Sequence, residues 1–149
     1  MAALQLPHDF KEFFELLNSA NVRYLVVGGY AVGYYGYPRA TGDLDIWVAR
    51  DASNAAAIVS VLQEFGFSPG AVSPETFTSQ DKVIQIGVPP VRIDILTGIP
   101  GLGFDACFDT RVVDALDGIQ VNLISLADLK AGKSASGRSK DLDDLENLP

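Results

Sequence analysis

Asp43 and Asp45 flank Leu44 in the stretch GDLDIWV, and Asp94 stands between two isoleucines in VRIDIL. Side chains two residues apart on a strand project to one face, so Asp43 and Asp45 would lie side by side. Carboxylates that close repel each other unless a cation separates them, and magnesium prefers carboxylate oxygens that it shares with substrate phosphates. In the second stretch Val91, Ile93 and Ile95 share one face and Arg92, Asp94 and Leu96 the other, which makes Asp94 a third strand carboxylate in apolar company. Singly, each acid reads equally well as the solvated side of an amphipathic strand. Gly28-Gly29 ends the apolar run VRYLVVGG. Such a pair either turns the chain tightly into the next helix or lets a phosphate approach free N–H groups there.

The basic residues have their own pattern. The 149-residue chain holds 11 Lys and Arg against 19 Asp and Glu, a net charge of -8. That balance argues against nonspecific binding along a nucleic-acid backbone. Yet KAGKSASGRSK, residues 130–140, has four cations and no acid. Lys130 and Lys133 share a helical face by their spacing, and Arg138 and Lys140 follow a break at Gly137. This is either a solvated helix end or a local phosphate site. Cys107 and His8 are the only residues of their kinds, so a disulfide framework and a Cys/His zinc site are excluded within one chain. Any metal is a hard ion held by oxygen. Tyr30, Tyr34, Tyr35 and Trp47 could stack a base, but at helical or strand spacing such residues are more often core.

The elements that must position these residues follow from periodicity. HDFKEFFELLNSA is an amphipathic helix, VRYLVV a buried strand, GYAVGYYGYP a short helix and DLDIWVA a second strand. SNAAAIVSVLQEFG is a helix with Ser53 as N-cap and Gly66 past its end. FSPGAVSPETFTSQ reads as a loop, and VIQIGV and VRIDILT as a hairpin joined through Pro89 and Pro90. IPGLGF leads through an irregular or helical piece to the strand IQVNLI. Two helices close the chain, the first opened by Ser125 and Asp128 in a capping-box pattern, the second packed down by Leu142, Leu145 and Leu148. The order implies an α/β (α+β) domain, a mixed sheet with helices packed against it. Length and the 48% hydrophobic content point to one domain, residues 1–149. The first residues lack a signal peptide and no apolar run suits a membrane, so a soluble, cytoplasmic protein is expected.

The order of these pieces is more specific than any one of them. An apolar strand, GG, a short helix, and D-L-D on the next strand, with a further Asp on a later one, resembles the nucleotidyltransferase superfamily that includes DNA polymerase beta. It is most similar to the small bacterial members found as minimal nucleotidyltransferase domains and in toxin–antitoxin or abortive-infection (phage-defence) systems. YLVVGGYAVGYYGYPRATGDLDIWV carries most of the likeness, and RIDIL and LADLKAGK…GRSKDLDDLENL extend it. The resemblance implies a nucleotidyltransferase fold and transfer of a nucleoside monophosphate from an NTP such as ATP to an acceptor hydroxyl. It implies Mg²⁺ or Mn²⁺ on Asp43, Asp45 and Asp94 in a two-metal mechanism. It further implies that Gly28 and Gly29 line the triphosphate, that Arg39 and Thr41 stand beside the carboxylates, and that Lys130, Lys133, Arg138 and Lys140 supply charge to the phosphates. Gly29 stands where many members have serine. The acceptor is left open among a partner protein, a tRNA end and a small molecule, reached through a partner or a homodimer surface. The rival is a partner-binding, antitoxin-like module of the same fold with weak catalysis. A dinucleotide-binding turn fails for want of G-x-G-x-x-G spacing.

Overall fold

Tyr24–Val27 forms strand β1, four consecutive buried apolar residues, the pattern of a strand covered on both faces. In the computed structural model, which describes residues 6–37, 42–68, 70–88 and 91–149, β1 lies near the middle of a six-stranded sheet. The other strands are β2 (Asp43–Val48), β3 (Val83–Val88), β4 (Val91–Leu96), β5 (Val112–Leu116) and β6 (Ile119–Leu123), in the order β3-β4-β2-β1-β6-β5. β2 runs antiparallel to β1 and parallel to β4, β1 runs parallel to β6, and β3/β4 and β5/β6 are antiparallel pairs. The mixed sheet and the β3/β4 pair match the expectation; the link at Pro89 and Pro90 lies outside the described residues.

Alternation along β2 and β4 splits the core in two. Leu44, Ile46, Ile93 and Ile95 face α1 (His8–Ser19) and α3 (Ala52–Phe65), meeting Phe10, Phe13, Phe14, Ile58 and Leu62. The opposite face carries Leu25, Val27 and Trp47, which pack with Ala31 and Val32 of α2 (Gly28–Tyr34), Cys107 of α5 (Phe104–Asp109) and Leu129 of α6 (Leu126–Ser136). Asp43 and Asp45 belong to this second face. Trp47 is 1% exposed and packs edge-on against Phe104, so it is a core residue.

Four local expectations differ from the structure. The cap of α3 is Asp51, whose side chain accepts from the Asn54 N–H, and Ser53 sits inside the first turn. The stretch expected to be loop contains a short helix, α4 (Pro74–Thr78), because Pro74 suits a first helical turn and Phe77 is driven fully into the core. Strand β5 escapes a periodicity reading because three of its five residues are exposed. Its signal is the Asp117-Gly118 turn, both residues at positive φ (51° and 82°), as a tight hairpin requires. At α7 (Ser139–Asn147) Leu148 is buried and Leu145 half-buried, as expected, but Leu142 is 49% exposed and Asp141 and Asp144 take the inward side of the helix. Among the described residues no helix is long and apolar enough to cross a membrane.

Candidate active site

Parallel pairing of β2 with β4 puts Asp43 beside Arg92 and Asp45 beside Asp94, and antiparallel pairing with β1 puts Val27 on the other flank of Asp45. The sheet register therefore gathers the three acids on one face. Gly28, the residue after Val27, has φ +67°, and a β-carbon there would stand 2.0 Å from Asp45 Oδ2. The glycine thus makes room for the carboxylate, a reason for the motif that its sequence alone does not reveal. Gly29 is buried within α2. Arg39 and Thr41 lie outside the described residues.

Arg92 supplies the charge that these acids lack. Its Nη2 donates to Asp43 Oδ2 at 2.5 Å, and its Nε lies 3.3 Å from Asp94 Oδ1. Among the described residues no three carboxylates, histidines or cysteines converge tightly enough to hold an ion as they stand. The donor set nevertheless fits a hard divalent cation. Asp94 is 8% exposed, and its buried Oδ1 has the Arg92 Nε contact but no hydrogen bond, an acceptor under-satisfied for a carboxylate. Asp45 is pushed up to about 6, by burial first and then by the charges of Asp94 and Asp43, while Lys140 pulls the other way. A carboxylate so reluctant to ionise gains most from a cation.

The acids open into a cavity of about 360 Å³ whose walls also include Gly28, Lys133, Ser136, Arg138 and Lys140. Of the four cations from residues 130–140, Lys130 is not among the lining residues and donates to the Pro149 main-chain oxygen at 2.8 Å. Lys133 is 7% exposed and paired to Asp144 at 2.8 Å, so it belongs to the helix packing. Arg138 and Lys140 remain exposed on the cavity wall. A larger hollow of about 570 Å³ lies at the other end of β2, between Trp47, Arg50, Asp81 and Phe104. It contains none of the three acids.

A mixed sheet with acids on adjacent strands and a helix opened by glycine is the architecture of nucleotidyltransferases. A candidate nucleotidyltransferase from Thermotoga maritima superposes with a TM-score of 0.62 at 17% identity, over 93% of this chain and 88% of that one. An antigenic nucleotidyltransferase-like protein from Paracoccidioides brasiliensis superposes at 0.56 with 20% identity, over 91% and 71%. Residues 9–148 match the aminoglycoside-2''-adenylyltransferase family, and the chain belongs to it. No curated protein sequence is similar enough to count as a relative.

Proposed function

We propose that the chain transfers the AMP moiety of ATP to a hydroxyl of a small, cationic, hydroxyl-rich acceptor. The observation that carries this reading is the in-register row of Asp45 and Asp94, with Asp43 one step along the same face. The family's name supports the choice of ATP and of an aminoglycoside-like acceptor, as does a net charge of -8, which favours a cation's approach.

Asp43, Asp45 and Asp94 would hold Mg²⁺, which supplies Lewis-acid stabilisation of charge on the attacking and leaving oxygens. For Asp43 and Asp94 to take up that role, Arg92 would give up its contacts with them. Asp94 then accepts the proton of the acceptor hydroxyl. Gly28 leaves the Asp45 carboxylate its place beside the start of α2. Arg138 and Lys140 offset charge on the departing pyrophosphate. Transfer breaks the bond between the α-phosphorus and its bridging oxygen and forms one to the acceptor oxygen.

The Arg92 contacts favour one second reading, a weakly catalytic binding module of the same fold in which the arginine remains the acids' permanent partner. No geometry speaks to a toxin–antitoxin or phage-defence setting. Incubation with α-labelled ATP, Mg²⁺ or Mn²⁺, and a panel of aminoglycosides, tRNA and cell extract separates the two. Label on an aminoglycoside supports the transferase. Metal-dependent ATP binding without transfer to any acceptor supports the module.

A further inference from the structure

Lys133, Asp141 and Asp144 form a buried ionic knot, with Lys133 and Asp141 reaching the cavity wall, that the proposed reaction does not use. They are 7%, 2% and 1% exposed. Lys133 Nζ lies 2.8 Å from Asp144 Oδ2 and 3.4 Å from Asp141 Oδ1. The other oxygen of Asp141 accepts from Ser136 Oγ at 2.6 Å and from Arg138 Nε at 2.7 Å. Asp141 is therefore gripped at once by the body of α6, by its last residue and by the cap position of α7.

Burying three charges is costly, and apolar side chains filling the same volume are often at least as stable. The ionic arrangement adds direction, because each charged hydrogen bond fixes an angle and a register between the two helices. The register matters most to the neighbour of Asp141 in the chain. Lys140 is exposed on the cavity wall, on the same cavity as Asp43, Asp45 and Asp94. A lysine on a flexible stem has no fixed place of its own, so its location depends on the backbone that carries it.

We propose that Lys133 is a positioning residue that contacts no phosphate itself and, by holding Asp141 and Asp144, fixes α7 so that Lys140 faces a bound polyphosphate. The nucleotidyl-transfer reading is needed only to say where that polyphosphate comes from. Spacing alone groups Lys133 with the phosphate-facing cations, whereas its burial and its two partners separate it from them.

Calorimetry with inorganic tripolyphosphate on the full chain tests this through a double-mutant cycle. The knot is replaced by the apolar pair Lys133→Met/Asp144→Leu, or by the uncharged polar pair Lys133→Gln/Asp144→Asn should the first not fold. Lys140→Gln is made alone and on top of the knot variant. The knot variant is expected to keep a cooperative melt yet bind tripolyphosphate roughly tenfold more weakly, about 1.4 kcal/mol. On the Lys140→Gln background the same replacement is expected to change nothing further, because the cation it places is already gone. Losses that simply add, or a wild-type chain that does not bind tripolyphosphate, overturn the proposal. Binding in the expected pattern without nucleotide transfer to any acceptor overturns the transferase reading and leaves the positioning role standing.

Discussion

Gly28 and Asp45 share one small space, for a β-carbon on residue 28 would stand 2.0 Å from Asp45 Oδ2. The backbone there is also left-handed, at φ +67°, which costs an L-residue about 1–2 kcal/mol. Gly28→Ala is expected to lose about 1–3 kcal/mol of stability and to displace Asp45. Gly42→Ala, with nothing within 4 Å of its β-carbon, is expected to stay within about 0.5 kcal/mol of wild type. Urea midpoints of the two variants check this, and equal midpoints would refute the close approach.

Asp45 makes stability depend on pH in an unusual direction for an acid. Its pKa is raised from an ordinary 3.8 to about 6, with burial the largest cause. Between those values the folded chain holds a proton that the unfolded chain has released. Stability is therefore expected to fall as pH rises through that window, with the cost complete above pH 6. At about 1.36 kcal/mol per unit the cost is at most ~3 kcal/mol, reduced by the solvent that reaches the group. Asp45→Asn is expected to raise the urea midpoint at pH 7.5 and leave it unchanged at pH 3, below both pKa values. The same gain at both values would contradict the assignment.

Arg92 bridges Asp43 and Asp94 with side-chain exposures of 29%, 36% and 12%. Arg92→Met removes the counter-charge from a largely buried acid, a change expected to cost about 1–3 kcal/mol in EDTA. Mg²⁺ then has no arginine to displace, so the variant is expected to gain more from the ion than wild type does. Thermal melts with and without Mg²⁺ measure the difference. A variant that Mg²⁺ stabilises less than wild type would show that Arg92 helps to build the ion site.

Asn54 is a structural counterpart far from the acids. Its Oδ1 accepts from the Arg23 N–H at 2.7 Å, and its Nδ2 donates to Arg23 O and Ala49 O at 3.1 and 2.9 Å. Asn54→Ala leaves buried backbone groups unpaired and is expected to cost about 2–4 kcal/mol. Tripolyphosphate binding at a temperature where the variant is folded is expected to be unchanged. Chemical denaturation and calorimetry on one preparation give both numbers.

What the sequence discloses about the site is what strand periodicity controls. Asp43 and Asp45 share a face because they are two apart, and Asp94 is turned from the core because Ile93 and Ile95 are turned into it. Pairing is not periodic, so the register that sets Asp45 beside Asp94 and Arg92 beside Asp43 is legible only in the sheet. Spacing also cannot say which side of a helix is buried. It groups Lys130 with Lys133, and the fold sends one to Pro149 and the other inward to two aspartates. Asp141 and Asp144, three apart and in helical register with the buried Leu148, are the sign of that partner. The exposed strand β5 was legible only through its Asp117-Gly118 turn.

Asp43, Asp45 and Asp94 are proposed to serve transfer of AMP to a hydroxyl. The most direct measurement of that role is movement of α-label from ATP to an aminoglycoside acceptor by wild type, Asp43→Asn, Asp45→Asn and Asp94→Asn, in Mg²⁺ and at matched folded fractions. Wild type is expected to transfer label, and each variant to lose at least about a hundredfold in rate, the lower range for removing one acid–base group. Transfer that persists unchanged in the three variants would contradict the account.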